Sequence, residues 1–134
     1  MRFIKSEVLP LRTDDDLVKV RQAVRNWMIE QKFGLVAQTK MVTAASELGR
    51  NVVVYGGGGF ARLDCLLDID RQGFRVTFED QGPGISDISQ ALTDGFTTGK
   101  GLGLGLGGAK RLVNDFDIWS EPGHGVRVSI TMWK

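Results

Sequence analysis

The stretch Val36-Ala-Gln-Thr-Lys-Met-Val-Thr-Ala-Ala-Ser-Glu-Leu-Gly-Arg-Asn-Val-Val-Val-Tyr55, followed by Gly56-Gly-Gly-Gly59 and Phe60-Ala-Arg-Leu-Asp-Cys-Leu-Leu-Asp-Ile69, changes its apolar period midway. Before the glycines, Met41, Ala44, Ala45, Leu48, Val52 and Tyr55 recur at helical spacing, which predicts an α-helix over about residues 36–55. The four glycines stop it. After them the period becomes two, and residues 61–69 read as a strand. Residues 74–80 read as another, with Phe74, Val76 and Phe78 on one face and Asp80 continuing that face. Arg71-Gln-Gly73 is the expected turn of this antiparallel hairpin.

Upstream, Phe3-Ile4 and Val8-Leu9 suggest a short edge strand running into a turn at Pro10. Thr13 then offers an N-cap, with Asp14, Asp15 and Asp16 in the positively polarised first turn of a helix. Leu17, Val20, Val24, Trp27 and Met28 form its apolar stripe, and Gly34 is its expected end. Downstream lies a glycine-studded stretch from Gly82 to Gly108, longer than an ordinary connection and therefore a candidate for function. A helix over about 108–116 and a last hairpin follow, with Ile118-Trp119-Ser120 and Val126 to Met132 flanking Pro122-Gly123-His124-Gly125. This order predicts an α+β fold, a two-layer sandwich with helices on one face of a mixed, mostly antiparallel sheet.

Composition narrows the function classes. The 134 residues suit one domain, expected to span 1–134, and 42% hydrophobic with 25% charged residues is ordinary for a globular protein. Seventeen basic and sixteen acidic residues leave a net charge of +1, so no global field favours nucleic acid or an anionic membrane. One cysteine, Cys65, excludes an internal disulfide framework, and one histidine, His124, argues against a multi-histidine metal site. No apolar run approaches the roughly 20 residues that cross a bilayer, and the first residues lack a signal-peptide core. A cytoplasmic protein is expected. The 18 glycines are the unusual feature.

Three groups of residues carry chemistry. Glu47 and Asn51 share one helix face a turn apart, where a carboxylate beside a carboxamide can orient a water or a metal. Taken alone, a solvated pair on a helix flank is the simpler reading. Asp80-Gln-Gly82-Pro-Gly84-Ile85 ends a strand, so its carboxylate can aim beneath the helices and accept a hydrogen bond from an exocyclic amine such as adenine's. A plain turn explains those residues equally well. Gly95-Phe-Thr-Thr-Gly99-Lys100-Gly-Leu-Gly-Leu-Gly-Leu-Gly-Gly108 holds seven glycines in fourteen positions and feeds a helix N-terminus, where anions are stabilised. Here a phosphate cradle is favoured over a plain linker, and the interleaved leucines suggest a lid that closes onto a ligand. Two familiar motifs fail on it. A P-loop needs four residues between its glycines and a Ser/Thr where Gly101 stands, and the apparent dinucleotide motif has no preceding strand and meets Val128 where an acidic residue is expected. His124 reads as a solvated turn residue, Cys65 as a small core hydrophobe, and the three tryptophans as packing residues.

In order, Glu47-x-x-x-Asn51, Asp80-x-Gly82-x-Gly84 and Gly101-Leu-Gly103-Leu-Gly105 resemble the ATP-binding boxes of the GHKL superfamily, whose members adopt the Bergerat fold. The resemblance covers about residues 13–134 and implies ATP and Mg2+ as cofactors. With the nucleotide module standing alone, the chain looks closest to the RsbT-type serine/threonine kinases of the stressosome, within the anti-sigma regulatory factor family. The segments that carry this are Ser46-Glu-Leu-Gly-Arg-Asn51, Glu79-Asp-Gln-Gly-Pro-Gly-Ile85, Asp94-Gly-Phe-Thr-Thr98 and Gly101 to Asp115.

The resemblance implies Glu47 as general base, Asn51 as magnesium ligand, and Asp80 as partner of the adenine amino group, with Gly82 and Gly84 on the pocket floor. Thr98, Lys100, Gly101, Leu102, Gly103, Leu104 and Gly105 would bind the nucleotide and close over its phosphates, and Arg50 would act near the triphosphate or the partner surface. It further implies a STAS-domain antagonist as acceptor and a PP2C-type phosphatase as the partner activated after release. Val126 stands where many members carry a Thr that supports the adenine contact, which implies weaker binding, and Gly107 where the RsbT-type pattern often has Pro, which implies a looser lid. Two alternatives remain: an anti-sigma kinase that also sequesters a sigma subunit, and a non-catalytic ATP-gated binding module. Oligomeric state stays open, since anti-sigma relatives pair and RsbT-type relatives need not.

Overall fold

The glycines at 56–59 are where the chain passes from its helical layer into its sheet. A computed structural model describes residues 1–82 and 105–134. The elements are β1 (Arg2–Leu11), α1 (Asp14–Glu30), α2 (Leu35–Val54), β2 (Gly59–Asp68), β3 (Arg71–Asp80), α3 (Gly105–Leu112), β4 (Asp115–Ser120) and β5 (Val126–Trp133). The five strands form one sheet in the order β1-β2-β3-β5-β4. The fold class is the expected α+β sandwich. All four strand pairings are antiparallel, so the sheet carries no parallel pair among the described residues.

Strand alternation sets the core. Ala61, Leu63 and Cys65 of β2, Phe74, Val76 and Phe78 of β3, and Val128, Ile130 and Met132 of β5 point to the helical layer and are buried. They meet Leu17, Val20, Val24, Trp27 and Met28 of α1, Met41, Ala44, Ala45, Leu48 and Val52 of α2, and Leu106 and Ala109 of α3. Trp27 and Phe74 pack with ring centroids 5.8 Å apart. Burying one such side chain is worth roughly 1.5–3 kcal/mol. Gly49 lets α2 approach closely, since a Cβ there would lie 2.6 Å from Leu17 Cδ1. The opposite face of the sheet is polar: Arg62 and Ser6 hold the buried carboxylate of Asp64, and Thr77 and Ser129 share a hydrogen bond of 3.0 Å.

Thr13 caps α1 as expected, in a capping box with Asp16. Several boundaries differ from expectation. β1 continues through Pro10, paired with Phe60, rather than turning there. A proline is tolerated because β1 is an edge strand with no outer ladder to supply. α1 ends at Glu30, before Gly34, in a Schellman arrangement: Phe33 N–H donates to Met28 O and Lys32 N–H to Ile29 O, each at 2.9 Å. Lys32, not a glycine, takes the left-handed position (φ 64°), and Gly34 becomes the N-cap of α2. The β2–β3 turn is Ile69-Asp70, with Asp68 paired to Arg71 and Ile69 at φ 58°, rather than Arg71-Gln-Gly73. Finally, α3 begins and ends earlier than expected, and Phe116 belongs to β4, paired with Ile130.

Candidate functional site

α2 carries the first group of residues. Glu47 faces inward beside Leu48 and Ala44 and is only 2% exposed. Its Oε2 has no hydrogen-bond partner among the described residues. A buried carboxylate oxygen without a partner is costly, so its retention points to something that arrives from outside. Asn51 is half-buried four residues on, about 6 Å along the helix axis. Arg50 is half-buried beside it. The solvated-flank reading fails for Glu47.

The second group lies where three loops converge. Asp80 ends β3 and is buried at 7% exposure, its Oδ1 accepting from the Gly82 N–H at 2.8 Å. Burial is the main cause that pushes its carboxyl above the ordinary carboxylate value, and the backbone N–H groups of Gly82 and Val126 oppose that shift. The Val126 contact is made by the main chain.

Glycines surround Asp80. A Cβ on Gly56, at the end of α2, would lie 2.4 Å from Asp80 Cγ, and one on Gly125 would lie 2.1 Å from Asp80 O. A Cβ on Gly82 would meet Gly56 Cα at 2.8 Å. In sequence Gly56 reads as a helix stop and Gly125 as a turn residue, and the fold brings both against Asp80. The available signal was four glycines in a row where one or two end a helix.

Gly105 opens α3 at φ 61° and is buried; α3 packs on α2, and Gly107 is buried within it. Of the remaining candidates, Gly84, Thr98, Lys100, Gly101, Leu102, Gly103 and Leu104 lie outside the described residues. No group of three or more His, Cys, Asp or Glu side chains able to hold a metal occurs among the described residues. The donor set nonetheless fits a phosphate-bound divalent cation. Such an ion would take the Asn51 carboxamide oxygen and complete its shell with phosphate and water oxygens, as Mg2+ commonly does.

A buried carboxylate and a carboxamide thus share one face of α2, whose end meets an inward strand-end carboxylate. A family model for the histidine kinase-like ATPase domain matches residues 10–132. The chain belongs to this family. It is 42% identical over 123 residues to the serine/threonine-protein kinase RsbT of Bacillus subtilis (strain 168), covering 92% of each chain, which places it among ATP-using protein kinases. It is 28% identical over 97 residues to the anti-sigma F factor of Clostridium novyi (strain NT), covering 67% of this chain and 66% of the relative.

Among solved structures, the RsbU and RsbW domains of Rv1364c from Mycobacterium tuberculosis match with a TM-score of 0.65 at 21% identity, over 97% of this chain and 33% of that longer one. The SiaB-SiaC complex from Pseudomonas aeruginosa matches with a TM-score of 0.54 at 11% identity, over 99% of this chain and 91% of that one. At these identities both show the shared fold. No helix among the described residues is long and apolar enough to cross a membrane.

Proposed function

We propose that residues 1–134 work as one cytoplasmic ATP-binding kinase domain that transfers the γ-phosphoryl group of Mg-ATP to a serine or threonine of a STAS-domain antagonist. Once released by that phosphorylation, it activates a PP2C-type phosphatase, which makes it the moving part of a partner switch. The observation that carries this reading is the buried Glu47 oxygen with no hydrogen-bond partner among the described residues, on the same helix face as Asn51.

Each residue then has a task. Glu47 takes the proton from the acceptor hydroxyl as its oxygen bonds to the γ-phosphorus and the bond to the ADP oxygen breaks. Asn51 holds the cation side of the triphosphate, and bound Mg2+ supplies charge neutralisation there. Asp80 accepts a hydrogen bond from the adenine amino group, with Gly82 and Gly84 leaving room for the flat base. Thr98, Lys100 and Gly101 to Gly105 cover the phosphates, and Arg50 steadies the triphosphate or meets the acceptor protein. Phosphoryl transfer depends chiefly on positioning and charge, which this set can supply.

The test is intact-mass measurement of a STAS-domain protein from the same genome after incubation with this protein and Mg-ATP. One added phosphate, lost with Glu47→Ala or Asn51→Ala, is expected. No transfer despite measurable ATP binding would turn the reading to an ATP-gated binding module. The similarity to an anti-sigma F factor supports a second reading, direct capture of a sigma subunit. Co-purification with a sigma subunit rather than a STAS protein would favour it.

A further inference from the structure

Gly56 is a glycine for a different reason from its neighbours. Gly57 and Gly58 adopt φ values of 72° and 100°, which side-chain-bearing residues rarely take, and a Cβ on Gly57 would meet nothing within 4 Å. Gly56 is the reverse. Its φ is not positive, and its N–H donates to Asn51 O at 3.0 Å, a bond five residues back that closes the end of α2 onto the carbonyl Tyr55 N–H also uses. The backbone there suits any residue; space is what is missing. A Cβ would lie 2.4 Å from Cγ, 2.5 Å from Oδ2 and 2.6 Å from Cβ of Asp80.

Asp80 cannot simply back away. Its strand is held where Gly125 passes, since a Cβ there would meet Asp80 O at 2.1 Å. On the other side Gly59 pairs with Asp80, and a Cβ on Gly59 would meet Glu79 O at 1.9 Å. With the main chain fixed on both flanks, a side chain at 56 turns the carboxylate out of its present direction and strips the Gly82 N–H from Oδ1.

We propose that Gly56 is a positioning residue that sets base selectivity, keeping the Asp80 carboxylate aimed at the exocyclic amine of a 6-aminopurine nucleotide. This rests on the adenine role given to Asp80 above. A 6-oxopurine presents an oxygen where the amine would be, and two facing acceptors repel. A site built around such a donor rejects analogues that lack it far more strongly than a merely apolar pocket does.

The experiment is equilibrium titration with ATP and with inosine triphosphate, the 6-oxo counterpart, on the wild type, Gly56→Ala, Gly57→Ala, Asp80→Asn and the Gly56→Ala/Asp80→Asn pair. The wild type is expected to prefer ATP by at least about tenfold, and Gly56→Ala to lose that preference through weaker ATP binding, leaving inosine triphosphate within about threefold. Asp80→Asn should cost affinity in the wild type and almost nothing more in the Gly56→Ala background, because the carboxylate is already misplaced. Gly57→Ala should lower the melting temperature and keep the preference, a pattern a merely structural Gly56 would share.

If Asp80→Asn abolishes the preference and Gly56→Ala keeps it, the assignment of Gly56 is overturned while the adenine reading stands. If Asp80→Asn keeps the preference, the adenine reading falls and the proposal with it. Should Gly56→Ala not fold, recovery of folding by adding Asp80→Gly, which removes all three contacting atoms, supports the proposal. No recovery overturns it.

Discussion

The middle of α2 and its C-terminal end sit on the same helix, and the proposed function gives them different work. Around Glu47 the described residues leave a buried oxygen unsatisfied. Around Gly56 they leave no spare space at all, with the backbone pressed against Asp80. On the proposed reading the unpartnered Glu47 oxygen serves chemistry, costly until a reactant reaches it, whereas the tight collar around Asp80 serves recognition, satisfied before the ligand arrives. Damage at the first should therefore appear in the rate, and damage at the second in the affinity.

The largest expected effect is at Glu47. Glu47→Gln keeps shape and removes the proposed base, so single-turnover transfer should fall about 10²- to 10⁴-fold while the Kd for Mg-ATP stays within about threefold. A parallel loss of binding would erase the distinction between the two regions. Asp80→Asn comes next. Losing the charged, buried group proposed to accept from the adenine amine should weaken ATP binding by about 10- to 100-fold, measured by calorimetric titration.

Asp80 also gives a pH signature. Burial raises its carboxyl, so acidification should weaken ATP binding from a higher pH than an ordinary carboxylate would, and Asp80→Asn should flatten that arm of the profile. The stability sign runs the other way. A carboxyl raised in the native state binds more protons there than in the unfolded chain, so ionised Asp80 opposes folding at neutral pH. That opposition fades as pH falls through the raised native value toward the unfolded one. Asp80→Asn should accordingly raise the melting temperature most near neutrality, with a gain that shrinks in acid.

The smallest effects lie far from the site. Lys32 and Ile69 occupy left-handed backbone, which costs a side-chain-bearing residue roughly 1–2 kcal/mol. Lys32→Gly and Ile69→Gly should each raise stability by about 0.5–1 kcal/mol in urea titrations, with ATP affinity unchanged. A change in affinity from either would mean that the two regions of α2 are not insulated from the surrounding loops.

What the sequence made legible follows from the range of each interaction. The α2 helix and the β2–β3 hairpin were readable because a change of period is local and repeats over many residues. Glu47, Asn51 and Asp80 were readable as types at a spacing, and the resemblance supplied their roles. The end of α1 was misplaced because Lys32 does what a glycine usually does, leaving Gly34 to look like the stop. Ile69 hid a turn behind an apolar side chain, and Pro10 sat in a strand that only its edge position permits. The role of Gly56 was invisible because its reason is Asp80, a neighbour brought close only by packing α2 against the sheet.

The most direct measurement is the single-turnover transfer rate at saturating Mg-ATP for the wild type, Glu47→Gln and Asp80→Asn, side by side. Excess nucleotide should restore Asp80→Asn to near the wild-type rate and leave Glu47→Gln slow. Rescue of Glu47→Gln by nucleotide, or an Asp80→Asn rate that stays slow at saturation, would contradict the division between chemistry and recognition along α2.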